Sequence, residues 1–468
     1  MRWDDALLAP EERVLSTLEK DGSRRWLYPR LARGRFWRAR LLVAWGLIAV
    51  FAALPYMKIN GKPAILLDIV HRKFHLFGQT FLPTDTILLA LLLVGLVLGV
   101  FLVSALLGRI WCGWACPQTV YLEFVFRPIE RLFSGRRGVG GKPPQDLAAW
   151  RRALMYVAFF AVSFYLAHTF LAYWVGVENL RRWIFGSPME HPVAFATVAV
   201  VTFLMLFDFV YFREQTCIIA CPYGRLQSVL LDRNSLIIGY DRARGEPRGK
   251  RVSLPQAPAR GDCIDCNLCV AVCPTGIDIR EGLQIECVGC AQCIDACDAV
   301  MDKVGTPRGL IRYGSQQGMA GGRAKIHRPR VLVYAGALSL VAGLFVWLLA
   351  TKSPMDLSVQ RNAGAPFMVN DGLVENTVRI RIANRTDRPE SYRICVVGAD
   401  GVRVVQGVTP GAIRIEAGEQ HIEPVKLIVP PATFRAGVAE VRVRVESGDG
   451  HAAERPLRLL GPVGGGGP

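Results

Sequence analysis

Eight cysteines within 35 residues constrain this chain more than anything else in it. Cys263, Cys266, Cys269 and Cys273, then Cys287, Cys290, Cys293 and Cys297, repeat the spacing C-x-x-C-x-x-C-x-x-x-C twice. Loops this tight bring three thiolates to one cubic [4Fe–4S] cluster and send the fourth, often followed by proline, to a second cube. Pro274 follows Cys273 as that pattern asks, and Asp298 stands where a second proline would. The usual crossing assigns Cys263, Cys266, Cys269 and Cys297 to one cluster, and Cys287, Cys290, Cys293 and Cys273 to the other. A zinc site pairs two C-x-x-C knuckles and fits triplets plus one poorly. A disulfide framework needs an oxidising compartment.

The chain has 468 residues, too many for one domain, and its 51% hydrophobic content is gathered in blocks. Four nearly charge-free runs cover 86 to 108, 153 to 177, 192 to 207 and 331 to 350, and a shorter one covers 41 to 57. A bilayer core takes about 20 apolar residues in helical form, so the runs predict five transmembrane helices. The fourth becomes long enough only by admitting Asp208 near its end. Asp4, Asp5, Glu11 and Glu12 precede any apolar stretch, which argues against a cleavable signal peptide.

Arginine and lysine near span ends set orientation. Arg24, Arg25, Arg30, Arg33, Arg35, Arg38 and Arg40 place the N-terminus in the cytoplasm. The segment with Arg127, Arg131, Arg136, Arg137, Lys142, Arg151 and Arg152, and the cluster segment that ends in Arg323, Lys325, Arg328 and Arg330, fall on the same side. Lys58, Lys62, Arg72 and Lys73 in the first outer loop oppose this bias without reversing it. From Asp356 onward there are 14 Lys+Arg against 13 Asp+Glu, so +16 of the net +17 belongs to the membrane portion. Such charge serves topology and anionic headgroups, and without a reading motif it excludes nucleic acid as a partner. Twelve of the thirteen cysteines then lie on the reducing side, and Cys395 reads as a small buried apolar residue.

Two further cysteine pairs stand at inner span ends. Cys112-Gly113-Trp114-Ala115-Cys116-Pro117 follows the second span, and Cys217-Ile218-Ile219-Ala220-Cys221-Pro222 follows the fourth. This C-x-x-x-C-P repeat, 105 residues apart, reads as a duplicated helical hairpin. Positions four apart share a helix face. If the hairpins pack together, Cys112, Cys116, Cys217 and Cys221 converge as soft ligands suited to Cu(I) or to a further iron–sulfur centre, a third metal centre in either case. The plainer alternative is buried thiols packed as small apolar residues.

The parts follow in order. Residues 1–40 form a cytoplasmic N-terminal segment, and 41–227 hold four spans as two hairpins. Residues 228–260 are a Gly/Pro-rich linker, 261–302 a two-cluster ferredoxin domain and 303–330 a second linker. Residues 331–351 are the fifth span and 352–468 an outer, periplasmic domain with a flexible Gly464 to Gly467 tail. Val378-Arg379-Ile380-Arg381-Ile382 and Val441-Arg442-Val443-Arg444-Val445 alternate with the period of half-buried strands, as in an immunoglobulin-like sandwich. The fold class is therefore a multi-domain membrane protein. It joins a five-helix α-helical bundle, an inserted bacterial-type ferredoxin domain (α+β) and a C-terminal all-β immunoglobulin-like sandwich. His71 and His75 are four apart and read by default as solvated interfacial residues. His168 is the one histidine in a confident span, which disfavours bis-ligated haem. Asp208 is a functional candidate that reaches water or pairs with Arg213.

Taken together, Cys112 to Pro117, Cys217 to Gly224, Cys263 to Arg280, Cys287 to Asp298 and Gly309-Leu310-Ile311-Arg312-Tyr313 resemble the CcoG/FixG family of cytochrome cbb-type oxidase accessory proteins. The resemblance runs over nearly the whole chain. It implies a bacterial inner-membrane protein with two [4Fe–4S] clusters and cupric reductase activity, with copper as its substrate. It also implies cytochrome cbb-type oxidase and its copper-delivery proteins as partners, and leaves the electron donor open; a homo-oligomer is compatible with it. On this reading Cys112, Cys116, Cys217 and Cys221 are the catalytic acceptor site. A quinol-oxidising subunit similar to NapH also joins four spans and C-x-x-x-C-P pairs to a two-cluster module, and an assembly scaffold needs no catalysis. The fifth span and outer domain set the chain apart from the quinol-oxidising subunit.

Overall fold

The computed structural model describes residues 16–18, 23–70, 73–82, 85–134, 147–250, 260–323, 325, 327–362, 364–386, 388–398, 401–407 and 411–462. His71, the linker prolines Pro255 and Pro258, the Ala399–Asp400 turn and the Gly464 to Gly467 tail lie outside these residues.

Among the described residues, five helices are long and apolar enough to cross a bilayer: Arg35–Tyr56, Thr86–Leu107, Ala149–Val175, Pro192–Phe212 and Pro329–Ala350. The first starts ahead of the apolar run because Arg35, Arg38 and Arg40 continue the helix. Its N-terminus is capped from a distance. Asp295 accepts from the backbone N–H of Phe36 at 3.1 Å and of Trp37 at 2.7 Å, which satisfies two of the donors that a helix start leaves open. Gly34 makes room, since a Cβ there would stand 2.3 Å from the Asp295 carboxyl.

The second and fourth spans end alike. Gly108, at φ 58°, follows Leu107, and Arg213, at φ 52°, follows Phe212; a left-handed residue breaks each helix just past its last turn. Glycine takes that conformation freely, whereas Arg213 is held in it by a bidentate pair of its guanidinium with Glu130, both contacts at 3.0 Å. The fourth span finishes as a π-helix over Phe207–Phe212, and a second π-helical turn covers Thr216–Ala220.

The cluster module reaches beyond the expected 261–302 at both ends. Strand Ile237–Tyr240 pairs antiparallel with Ile311–Gly314, drawing pieces of both expected linkers into its sheet. The apolar faces of these strands explain the difference: Ile238, Tyr240, Leu310 and Ile311 are buried with Ile277, Ile279 and Ile294 in one core.

The chain divides into two compact units, 1–56 with 91–343 and 57–90 with 344–468. The second unit contains the immunoglobulin-like sandwich. Strands Arg403–Gln406, Gln420–Val429, Leu373–Asn384 and Met355–Arg361 form one sheet in that order, with Met368–Asn370 on Leu373–Asn384. Ile413–Ile415, Glu390–Val397, Val438–Ser447 and Ala452–Leu460 form the other. Alternation buries Val378, Ile380 and Ile382 against Val441, Val443 and Val445 and leaves the intervening arginines outward. The described residues of 57–81, expected only as a loop, form short antiparallel strand pairs, including Ile65–Asp68 with Lys73–Leu76. They belong to the same unit through Lys352, which donates to the Thr80 carbonyl at 2.8 Å and pairs with Asp85 at 2.9 Å. Asp85 also meets Arg385 at 3.3 Å, with its side chain only 4% exposed. Asp85→Asn should therefore leave two nearly buried cations without their shared carboxylate. The expected loss is about 3 kcal/mol of this unit's stability, read as a lower unfolding midpoint in detergent.

Candidate functional site

The two cysteine loops fold alike. In Cys263 to Cys269 the residues flanking the central Cys266, namely Asp265 and Asn267, have φ 54° and 55°; in Cys287 to Cys293 the equivalents around Cys290, Gly289 and Ala291, have φ 71° and 60°. Two left-handed residues per loop curl the backbone around its own thiols. Arg280 holds the first curl in place. Its guanidinium donates to Asp265 at 2.6 Å, to Asn267, and to Asp278 at 2.6 Å.

Each loop closes on a cavity. Cys263, Cys266, Cys269 and Cys297 line one with Tyr240, Leu268 and Met301. Cys273, Cys287, Cys290 and Cys293 line the other with Ile238, Ile277 and Val288, and Cys269 borders both. Burial pushes the Cys269, Cys290 and Cys297 thiols up to about 12 and Cys287 to about 11, and neighbouring cysteines add to the effect in each set. Packed thiols of this kind stay neutral unless a cation joins them. Among the described residues no group of three or more His, Cys, Asp or Glu is drawn together as a single ion requires. Sulfurs spread around a space suit a four-iron cube, which supplies one-electron storage when bound. The residues present fit that group.

The C-x-x-x-C-P pairs also meet. Cys112 lies in the short helix Ile110–Trp114, and Cys116 is the N-cap of Pro117–Tyr121. Cys217 lies in Thr216–Ala220, and Cys221 is the N-cap of Pro222–Leu230. In both repeats the second cysteine's N–H donates five residues back, Cys116 to Trp111 at 2.9 Å and Cys221 to Thr216 at 2.8 Å. Each proline therefore starts a new helix, where its missing N–H costs nothing. Burial raises Cys112 and Cys217 to about 12. Cys116, Cys112 and Cys221 add to the effect at Cys217, and Cys116 and Cys221 at Cys112, so the four thiols lie near one another, although among the described residues no three of them are drawn together as a single ion requires. Buried Gln227 accepts from Cys112 at 3.3 Å and donates to the Gly108 carbonyl at 2.5 Å. Asp208 does not pair with Arg213 through its side chain; its carboxylate accepts from Thr216 beside Cys217, because Arg213 is engaged by Glu130 and Glu214.

This quartet touches the second cluster loop directly. A Cβ on Gly113 would stand 2.7 Å from the Val288 carbonyl oxygen and 2.8 Å from that of Gly289, so two backbones meet where neither residue carries a side chain. Arg109 spans the same joint. It donates to the Ile285 carbonyl, to that of Cys287 at 3.5 Å, and to that of Gly224 in the second repeat at 2.6 Å. Trp114 donates to Tyr313 at 3.1 Å and Tyr313 to the Gly289 carbonyl at 2.7 Å. Sequence reasoning missed Gly113, Gly289 and Arg109 as functional positions, although the glycines inside or beside both motifs were a usable signal.

The remaining candidates stand elsewhere. His168 and His191 border an apolar cavity between the third and fourth spans, with Trp183 stacked on His191 at 4.1 Å. His75 contacts Thr80 at 3.0 Å between the paired strands Lys73–Leu76 and Gln79–Phe81. Cys395, expected to be buried, is only half-buried on the strand Glu390–Val397, where its position alternates out of the sandwich core.

Comparison with known proteins agrees with this geometry. Residues 212–316 match a family described as a 4Fe-4S dicluster domain, 89–139 a 4Fe-4S binding domain, and 345–462 the IG-like fold at the C-terminal of FixG. The chain is 32% identical to nitrogen fixation protein FixG of Rhizobium meliloti over 93% of this chain and 92% of that one. It is also 32% identical to protein RdxA of Cereibacter sphaeroides, over 91% and 94%. The ferredoxin-type protein NapH of Haemophilus influenzae is 23% identical over 61% of this chain and 94% of its own length.

Gly113→Val forces the two backbones apart. It should destabilise the cluster-bearing unit by about 2 kcal/mol, read as a lower guanidinium midpoint for loss of cluster absorbance. Gly336→Val, where nothing lies within 4 Å, should leave that midpoint unchanged.

Proposed function

Because the chain belongs to the FixG family of membrane-bound polyferredoxins, we propose that it reduces Cu(II) to Cu(I), one electron per ion from a reduced cellular carrier, in support of cytochrome cbb-type oxidase assembly. Cys263, Cys266, Cys269 and Cys297 hold one cubane, and Cys273, Cys287, Cys290 and Cys293 the other. Cys112, Cys116, Cys217 and Cys221 receive the copper substrate. Both cysteine-rich parts lie at the cytoplasmic membrane edge, and the immunoglobulin-like unit faces the periplasm, as the arginine distribution directs.

One observation carries the reading: the glycine joint sets the quartet in backbone contact with the Val288–Gly289 turn, between Cys287 and Cys290. Short separation is what single-electron transfer asks of the protein, and Arg109 clamps the loop and both repeats around it. Thiolates are soft ligands that prefer Cu(I), so tighter binding of the product pulls reduction forward.

A second reading has its own support. The 89–139 match to a 4Fe-4S binding domain contains only Cys112 and Cys116, and Cys217 and Cys221 complete a four-thiol set. The quartet then holds a further cubane, and copper is reduced outside it.

Replacing Cys112, Cys116, Cys217 and Cys221 together with serine in anaerobically purified protein tests both. On the first reading, iron stays at the content of two cubanes and Cu(II) reduction is abolished while dithionite still bleaches the clusters. Loss of a third of the protein's iron favours the second reading. Unchanged copper reduction with unchanged iron removes the site.

A further inference from the structure

Among the described residues of the cluster-bearing unit, Arg40 and Arg127 are the two most completely buried charges; Arg127 pairs with Glu123 and Glu214, whereas Arg40 has no carboxylate partner. Its residue is 1% exposed, its Nε donates to the Gly113 carbonyl at 2.8 Å, and its guanidinium sits over the Phe124 ring at 5.3 Å. Neither NH2 group has a hydrogen-bond partner among the described residues. An unpaired guanidinium shut away from water is among the most costly arrangements in a protein, so a counter-charge is to be looked for beside it. The Gly113 carbonyl that Arg40 holds belongs to the residue packed on the Val288–Gly289 turn, which leads directly into Cys290, a lining thiol of the second cavity. Asp295, the nearby carboxylate, is already engaged by the N–H groups of Phe36 and Trp37, which fix the helix on which Arg40 lies one turn further on.

We infer that Arg40 is the built-in counter-charge of the centre held by Cys273, Cys287, Cys290 and Cys293, its two NH2 groups donating to sulfur there. This rests on the cluster assignment proposed above. A cubane with four thiolates is net negative and gains one further negative charge on reduction, so a fixed cation in a water-poor site favours the reduced form. The first centre has no such excess. Its buried arginine, Arg280, is matched by Asp278 and Asp265 at 2.6 Å each. The centre beside Arg40 therefore has the higher potential, and it is also the one that meets the Cys112 turn through Gly113. Electrons are thereby biased toward the quartet.

The test is a redox titration of full-length, anaerobically purified protein followed by electron paramagnetic resonance. Arg40→Gln should lower the potential of one cluster by at least tenfold in its equilibrium constant, about 59 mV for a one-electron couple, and leave the other unmoved. Arg40→Lys, which keeps the charge, should shift it less. Full iron content with both potentials as in the unaltered protein overturns the proposal. Equal shifts for Gln and Lys also overturn it, because packing and not charge would then be the cause. If Arg40→Gln does not retain iron, unaltered protein carrying 15N-guanidinium arginine decides: 15N coupling to one reduced cluster supports the contact, and its absence overturns it. Unaltered protein without iron would instead defeat the cluster assignment itself.

Discussion

Buried sulfur is the interaction on which this structure depends. A thiol taken out of water and placed among other thiols resists ionisation, as Cys269, Cys290 and Cys297 show, so four thiolates around one cavity are stable only with a strong positive centre among them. Iron binding and folding of the module are then the same event. The small core of Ile238, Ile277, Ile279, Ile294 and Leu310 is wrapped around sulfur on two sides, and its sheet has only two strands. Apolar burial in so short a segment is modest, and metal ligation must supply much of its cohesion.

The same need for close approach explains the membrane edge. The two C-x-x-x-C-P turns match in three features: a residue of positive φ four positions before the first cysteine, a five-residue N–H return to that turn, and a proline that opens the next helix. The repeats are not interchangeable, however. The first carries Gly108, Arg109 and Gly113 and so can lie against the Val288–Gly289 turn. The second carries Arg213 in a strained backbone state, bought by buried pairs with Glu130 and Glu214, while Glu214 also meets Arg127 and Arg24. One copy is specialised for contact with the clusters, and the other is anchored in a buried charge network.

Much of this was legible in the residues. Cysteine spacing pointed to the two crossed sets around the cavities, apolar run length to five spans, and period-two alternation to the sandwich strands. The boundaries of the cluster module were not legible, because Ile237–Tyr240 and Ile311–Gly314 are too short to announce a strand until they find each other across about 70 residues. The short strands between Lys58 and Phe81 were hidden for a similar reason, since that stretch mixes charged and apolar side chains without a sustained period. Arg40 shows a subtler limit. It was counted with the arginines that orient the first span, and composition cannot tell a headgroup-facing arginine from one that is 1% exposed.

That distinction carries a physical consequence for how such a protein can be wired. Arg40, Arg109 and Arg280 each lie beside a cysteine loop, but their surroundings differ. Arg280 is locked into carboxylates and acts as a clamp on the first loop, Arg109 directs its donors to carbonyls across the joint, and Arg40 keeps two NH2 groups without partners among the described residues. Neutralised charge shapes a loop; unneutralised charge shapes an energy level, because in a site poor in water its field is weakly screened. Two cubanes built from the same loop geometry can thus differ in potential through the arginine beside each. The direction of electron flow would then be written in how carboxylates are used: paired with Arg280 beside one set of cysteines, and, in Asp295, turned to backbone N–H groups and not to Arg40 beside the other.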